Sequence, residues 1–249
     1  MAKKTSSPPG DTLLGHLEEL ARRVRSVGII LLIGCLGGLA FAKPILNFLI
    51  APYGGKLQVL GPTEGISVLI RVGLTVGAAV ASPVIIYQIM AFVGPGLEPR
   101  ERRPIVLIIP GALALFLVGA AFAWFIMIPS AINFLATFQI DLFAVQWTAD
   151  KYVPFVLQLT LWVGVSFEMP LVFMFLGSLG VIGPRPLLQG WRYAIVAIAV
   201  IAAAITPTVD PFNMMLVMGP LIALYFLSIV LNAITFRAHQ RKLNADKRG

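Results

Sequence analysis

The first question that the sequence raises is which of its residues could do chemistry. Catalysis by a nucleophile and a base, or binding of a metal ion, requires several suitable side chains at one place. The chain has two histidines, His16 and His239, and one cysteine, Cys35. The histidines precede the first and follow the last long apolar run, so a histidine-based catalytic or metal site within the apolar runs is excluded. A single cysteine also excludes an intrachain disulfide.

No phosphate-binding loop is evident either. The segment IGCLGG lies within the first apolar run and is not followed by Lys and Ser or Thr, as nucleotide-binding loops require. We therefore predict that the protein is not an enzyme, and we expect no catalytic residues, no metal and no cofactor.

Two charged residues lie in the predicted membrane spans. Glu168 is about midway along the fourth apolar run, in GVSFEMP, where an ionised carboxylate is costly unless it meets water or a partner. Arg71 begins the second span, just before its uncharged run, and lies at a different depth, so a direct ion pair with Glu168 is not expected. Glu168 is a candidate polar point for a substrate or a partner helix. The alternative is a protonated, hydrogen-bonded residue of the core.

Two further acids lie in the strongly basic segment GPGLEPRERRP, residues 94–104. A carboxylate can bind the flat guanidinium group of an arginine through two parallel hydrogen bonds. Glu101, between arginines, is therefore a candidate for binding a cationic partner, whereas Glu98 is expected only to solvate the loop. The alternative for Glu101 is a local ion pair of little energetic weight.

The composition places these residues in a membrane, since 58% of the chain is hydrophobic and 12% charged. Crossing a bilayer takes about 20 residues. Apolar runs, one of them broken only by Glu168, occupy residues 26–42, 72–97, 104–140, 152–184, 193–209 and 211–236. We predict an all-α integral membrane protein with six transmembrane helices forming a single domain, residues 1–249. The run 104–140 is too long for one span and is expected to turn at Pro129 and Ser130, leaving 130–140 at the surface.

The basic residues predict the orientation. Of the 19 Lys and Arg residues, 15 lie at the two ends of the chain or in the second and fourth loops, and three lie in the other loops. This bias predicts that both termini are cytoplasmic. The net charge of +8 is explained by this topology and by contact with anionic membrane lipids, so nucleic-acid binding need not be invoked.

The flanking segments have distinct characters. Residues 1–10 are predicted to be a disordered tail, residues 11–25 an amphipathic cytoplasmic helix, and residues 237–249 a cytoplasmic tail. Within the amphipathic helix we expect ion pairs four residues apart, Glu19 with Arg23 and Glu18 with Arg22. The fifth span is short, which predicts a sunken periplasmic turn and a locally thinned membrane.

Four segments together resemble one family. They are HLEELARRV before the first span, PVIIYQIMAFVGPGLEPRERR at the end of the second, GVSFEMP in the fourth, and ITPTVDPFN between the fifth and sixth. In this order they are similar to the TatC family, the core receptor subunit of the twin-arginine protein translocase. The resemblance implies a concave, glove-like bundle in a bacterial or archaeal cytoplasmic membrane.

The resemblance also implies a function and partners. TatC proteins bind signal peptides with paired arginines, work with TatA and TatB or with a bifunctional TatA-like subunit, and export folded proteins on the proton-motive force without hydrolysing ATP. Homo-oligomers within the complex are expected. The signal-binding acids of the family fall on Glu19 and Glu101, and Phe92 is implied as part of that site. Glu168 would be met by the inserted signal or by a partner helix.

The remaining implied residues are structural or contact partners. Pro52 matches a family proline in the first periplasmic loop, Asp210 belongs to the periplasmic turn between spans five and six, and Arg71 is grouped with them. One departure stands out, because the family usually has an arginine after HLEEL and this chain has Ala21. Its role would pass to Arg22 or Arg23.

Two other functions were considered. A proton-coupled small-solute transporter would use Glu168 as its titrating group, and would show solute flux in liposomes containing this protein alone. A structural scaffold for other membrane helices would have no affinity for signal peptides. A receptor would show no solute flux in liposomes and would bind signal peptides.

Overall fold

The protein is built almost wholly of helices. The computed structural model describes residues 13–93, 102–137, 146–206 and 211–246. The helices are α1 (Leu13–Ala40), α2 (Ala42–Ile50), α3 (Glu64–Val93), α4 (Arg102–Phe122), α5 (Ile128–Thr137), α6 (Ala149–Phe167), α7 (Met169–Ser178), α8 (Pro184–Gln189), α9 (Trp191–Ile205) and α10 (Pro211–Asp246). A 3-10 turn (Ala51–Tyr53) follows α2, and a π-helical segment (Ala123–Met127) joins α4 to α5.

Among the described residues, five helical segments are long and apolar enough to cross a membrane. They are Leu17–Ala40, Glu64–Phe92, Ile109–Thr137, Ala149–Ser178 and Asn213–Arg241. The remaining predicted span, the fifth in chain order, is α9. It has 15 residues and is roughly 22 Å long, against a hydrocarbon core of about 30 Å. The predicted fold class, an all-α membrane protein with five long spans and one short one, is confirmed. The side of the membrane on which each terminus lies stays a prediction.

The third span does not turn at Pro129, so that expectation was wrong. The helix continues through Pro129 to Thr137, and its irregular part is the π-helical segment before the proline. There the N–H of Ile128 donates to the carbonyl of Ala123, five residues back. A π turn absorbs an extra residue without ending the helix. Up to Thr137, the expected surface segment is part of the span.

The fourth span is interrupted at Glu168, between α6 and α7. Pro170 has no N–H and so cannot donate the next hydrogen bond of the helix. At the same place the N–H of Glu168 donates to the carbonyl of Val165, three residues back, at 3.1 Å. Pro83, by contrast, lies inside the continuous helix α3. The interruption places Glu168 at a break in its helix rather than within a regular turn.

Helix α6 lies at the centre of the helix contacts on one side of the bundle, and α10 on the other. Helix α6 contacts α3 and α4, while α10 packs along α7 and α9. The core residues of α6 are fully or almost fully buried, namely Tyr152, Val153, Val156, Leu159 and Val163. Helix α1 differs, because only 6% of its spanning window is buried, against 44% for the window of α6 and α7. It is attached to the bundle mainly through one face packed on α3.

That attachment is a close contact of backbones, here called the glycine seam, formed by Gly34 and Gly38 of α1 with Gly73 and Gly77 of α3. A Cβ atom added at Gly77 would lie 2.5 Å from the backbone N and Cα of Cys35. One added at Gly34 would lie 2.7 Å from the carbonyl oxygen of Gly77. Small residues spaced four apart are what allows membrane helices to approach this closely.

Candidate functional site

One end of the bundle, the N-terminal surface, carries the start of α1, the end of α3, and α8; the distal surface is opposite. At the N-terminal surface Arg23 links α1 to α3. Its Nη2 and Nε atoms donate to Oε1 of Glu19 at 2.6 and 3.0 Å, and its Nη1 donates to Oε1 of Gln88 at 3.2 Å. The side chains of Glu19 and Arg23 are each 22% exposed. A carboxylate is therefore held in a fixed position at a surface that water can reach.

The two expected ion pairs of α1 fare differently. Glu19 pairs with Arg23 as predicted. Glu18 and Arg22 are both exposed, and the described side chains form no ion pair between them, so that prediction was wrong. Exposed long side chains gain too little from pairing to offset their lost freedom. Of the two arginines that follow Ala21, Arg23 contacts Glu19 and Arg22 does not; whether either replaces the arginine of the family stays a prediction.

Other predicted residues of this surface are placed in part. Phe92 is half-buried on α3, one helical turn beyond Gln88. Glu101 and Glu98 lie outside the described residues. Gln88 was missed by the sequence reasoning, although a polar residue in an apolar helix end, four positions before Phe92, was the available signal.

Glu168 lies in the interior of the bundle and is 0% exposed. The hydroxyl of Ser82 on α3 contacts its Oε1 at 3.2 Å. Its Oε2 is buried without a hydrogen-bond partner among the described residues. Ser82 also donates to the carbonyl of Ala79 at 2.9 Å, so a single hydroxyl proton serves both contacts. The carboxyl is thus held by α3 but incompletely satisfied.

Arg71 belongs to a different site, on the distal surface. Its Nη1 lies 3.1 Å from Oδ1 of Asp150, at the start of α6. Asp150 was missed, because 79 positions separate it from Arg71 in the sequence. Both side chains are substantially exposed, at 52% and 37%, so this pair adds little to stability. It nevertheless connects α3 to the start of α6 at the distal surface.

Glu64 makes the stronger connection at the distal surface. Its Oε2 accepts from the backbone N–H groups of Leu60 at 2.7 Å and Gly61 at 3.3 Å. Its Oε1 accepts from the N–H of Asp150 at 2.8 Å. A single carboxylate thus joins the first loop, the start of α3 and the start of α6.

We expect that Glu64→Gln lowers the thermal unfolding temperature of the detergent-solubilised protein by roughly 2–4 °C. The amide keeps one acceptor oxygen, but its NH2 group faces a backbone N–H donor, so at least one of the hydrogen bonds to Glu64 is lost. Differential scanning fluorimetry would measure the shift. The matched control is Glu18→Gln, which removes the same charge from an exposed side chain that forms no ion pair with any described residue. Equal unfolding temperatures for the two variants would contradict the connecting role.

Pro52 lies at the start of the 3-10 turn on the distal surface, and Gly54 ends the turn with a φ of 71°. The turn brings Tyr53 beside Tyr152 and Trp147, with ring centroids 5.6 and 6.4 Å away. Pro52 thus precedes the tyrosine that joins this aromatic cluster, and its structural role stays a prediction. Asp210 lies outside the described residues.

The chemistry that these groups can perform is binding. Oε1 of Glu19, at the N-terminal surface, accepts two hydrogen bonds from one guanidinium, so this carboxylate is placed to bind an arginine. Glu168 offers a polar group inside the bundle. These two acids lie on different elements and at different depths, so they are separate sites.

Comparisons with known proteins find the same family that the four sequence segments resemble. A family model described as Sec-independent protein translocase protein (TatC) matches residues 15–220. The Sec-independent protein translocase protein TatC of Synechocystis sp. is 37% identical over 217 residues, covering 86% of this chain and 85% of the relative. TatCd of Bacillus subtilis is 36% identical over 233 residues, covering 94% and 96%. A crystal structure of the twin arginine translocase receptor TatC superposes with a TM-score of 0.77 at 38% identity, covering 88% and 99%.

Proposed function

Because the chain belongs to the TatC family of Sec-independent protein translocase proteins, we propose that it binds twin-arginine signal peptides as the receptor of a protein translocase. The family is a non-enzymatic one of multi-pass membrane proteins that transport proteins. The observation that carries the proposal is the Glu19 carboxylate at the N-terminal surface, held by Arg23, which in turn donates to Gln88. In the proposal, Glu19 and Glu101 each bind one arginine of the signal, beside Phe92.

Arg23 supports this assignment by its geometry. It shows that the Glu19 carboxylate can hold a guanidinium through two donors, at 2.6 and 3.0 Å. A signal arginine would replace Arg23 at the carboxylate by exchange of like for like, and the partly exposed side chain of Arg23 would turn to water. A lysine offers a compact ammonium without the flat fork of donors, so it would replace Arg23 poorly.

The apolar part of the signal would insert beside the bundle and reach Glu168. Since Glu168 is 0% exposed and contacts Ser82, such a contact requires α3 to move away from the break between α6 and α7. The unpartnered Oε2 atom favours this, because a polar group of an incoming helix would satisfy it. TatA-like and TatB-like helices would dock at the same bundle.

The proposal includes an orientation and an energy source. Both termini would lie in the cytoplasm, so that the N-terminal surface meets signals before export. The complex would contain several copies of this chain and would use the proton-motive force to move folded cargo across a bacterial or archaeal cytoplasmic membrane.

Binding of a twin-arginine signal peptide to the full-length protein in nanodiscs tests the proposal. We expect Glu19→Gln and Glu101→Gln each to weaken binding by about 1.5–3 kcal/mol, roughly ten- to hundredfold, since each removes a charge-assisted hydrogen bond. A peptide with paired lysines should bind similarly weakly to the unaltered protein. Microscale thermophoresis would give the dissociation constants.

The matched control is Glu18→Gln, a neighbouring carboxylate on α1 that forms no ion pair with Arg22. It should bind the signal peptide as the unaltered protein does. If all variants and both peptides bind alike, the acids serve only as surface charges and the receptor assignment fails.

A further inference from the structure

A groove at the N-terminal surface, well separated along the chain from Glu19 and Phe92, runs between α8 and the last turns of α10. It encloses about 990 Å³. Here it is called the α8–α10 groove. Its apolar part is lined by Ile229, Val230 and Ile234, and its rim carries Arg185, Arg237 and Arg241. The groove therefore changes from apolar to basic along its length.

The three arginines of the rim face no described carboxylate. All three are exposed, and in the described parts of the chain none of their guanidinium groups lies within 4.0 Å of a carboxylate. The other polar groups lining the groove are the neutral side chains Gln240 and Asn244. Three positive charges without a described counter-charge around one groove favour an anionic ligand.

The register of α10 aligns the two halves of the groove. Val230, Ile234, Arg237 and Arg241 are spaced by four, three and four residues, so they follow one another along one helix face. Val230 and Ile234 are 57% and 62% exposed and lie within the spanning segment Asn213–Arg241. A ligand on this face meets apolar side chains within the bilayer and arginines at its surface.

The groove is held in shape by hydrogen bonds. The hydroxyl of Tyr225 donates to the carbonyl of Leu187 in α8. Buried Asn232 donates from Nδ2 to the carbonyls of Phe173 at 2.7 Å and Ile182 at 3.1 Å. These contacts fix α8 and the turn before it against α10 without any ligand, so little ordering is needed when a ligand binds.

The depth of the groove is marked by the start of α9. Trp191 is 42% exposed, and the guanidinium of Arg192 lies 5.6 Å from its ring centroid. Exposed tryptophan beside arginine is typical of the headgroup level of a membrane. Trp191 follows α8 after a single residue, so the basic rim of the groove lies near the same level.

We propose that the α8–α10 groove is a binding site for an anionic phospholipid. The lipid phosphate would lie among Arg185, Arg237 and Arg241, and an acyl chain would follow Val230 and Ile234 toward the membrane centre. Basic pockets beside transmembrane helices bind anionic headgroups in this manner. A soluble phosphate would use only the rim, and a water-soluble acidic peptide would leave the apolar half unfilled, so the combined pattern favours a lipid.

Native mass spectrometry of the full-length protein in detergent, titrated with phosphatidylglycerol, tests this site. We expect Arg237→Gln/Arg241→Gln to weaken binding of the first lipid roughly 10- to 30-fold, the effect of two basic groups near the headgroup level. The control pair Arg22→Gln/Arg25→Gln removes the same charge from exposed positions of α1 and should leave binding unchanged. Phosphatidylcholine should bind weakly to every form.

Further arms separate the possible ligands. Ile234→Ser should also weaken phosphatidylglycerol binding, and glycerol phosphate should not displace the lipid. Equal lipid binding by the two double variants would overturn the proposal. Displacement by glycerol phosphate at equal concentration would assign a simple phosphate site instead, and stronger binding of a glutamate-rich peptide would assign a protein partner; either result overturns the lipid site. Circular dichroism at the detergent concentration used shows that each variant is folded.

Discussion

Gly77→Leu is expected to detach α1 from α3 and to destabilise the protein by about 3 kcal/mol, at the upper end of the cost of overpacking a helix contact. At this position even a Cβ atom would lie 2.5 Å from the backbone of Cys35. Backbone atoms cannot move aside as a flexible side chain can, so the helices must separate. Because α1 has little other contact with the bundle, separation at the glycine seam loses most of its packing.

The lone cysteine of the chain reports on this change. Cys35 lies beside the seam, and its Sγ contacts the carbonyl of Leu74 at 3.7 Å. We expect a thiol-reactive maleimide to label Cys35 faster in Gly77→Leu, together with a lower unfolding temperature in detergent. The control is Gly28→Leu, because a Cβ at Gly28 has no atom within 4 Å. Unchanged labelling and unfolding in Gly77→Leu would show that the seam is not a tight contact.

Glu168→Lys is expected to be the second most damaging change, with a cost of about 3 kcal/mol for a basic side chain near the centre of a span. Glu168 is fully buried, and its carboxyl contacts the Ser82 hydroxyl. An ammonium group brings three donors into a site where the described residues supply few acceptors and no ion pair. We expect loss of folded protein in the membrane fraction, measured by fluorescence-detected size-exclusion chromatography.

Glu168→Gln separates this electrostatic effect from packing. The amide has nearly the same shape, keeps an acceptor for Ser82 and carries no charge, so folded protein should be recovered at close to the normal yield. A Lys variant that folds as well as the Gln variant would mean that water reaches Glu168, contrary to the buried position described above. Reduced yield of both variants would instead point to a need for the carboxyl itself.

The spans could be predicted from the sequence because the bilayer imposes one requirement, a run of apolar residues of a certain length. The Glu19–Arg23 pair was predictable because residues four apart can meet on a helix, although the same rule also predicted the Glu18–Arg22 pair, which does not form. The length of α9 also followed from its apolar run. These features depend on local sequence and on the solvent, and not on which helices become neighbours.

Features that depend on neighbours were not predictable. The contact of Ser82 with Glu168 and the pair of Arg71 with Asp150 join residues about 80 positions apart, and nothing local indicates such partners. The spacing of Gly34 with Gly38 and of Gly73 with Gly77 is visible in the sequence, but a small-residue motif does not identify the helix that it packs on. The π-helical segment before Pro129 has no signature, since a proline is compatible with several local adjustments.

The glycine seam also sets an order of events during synthesis. Gly73 follows Gly38 by 35 residues, which a ribosome making about 5–20 residues per second adds in roughly 2–7 s. During those seconds α1 has no partner, and its surface must be compatible with lipid alone. Its exposed apolar side chains, among them Leu32, Ile33 and Leu36 at 59–64%, meet that condition. The first membrane helix of the protein can therefore remain in the bilayer without a partner until Gly73 and Gly77 have been synthesised and α3 packs against it.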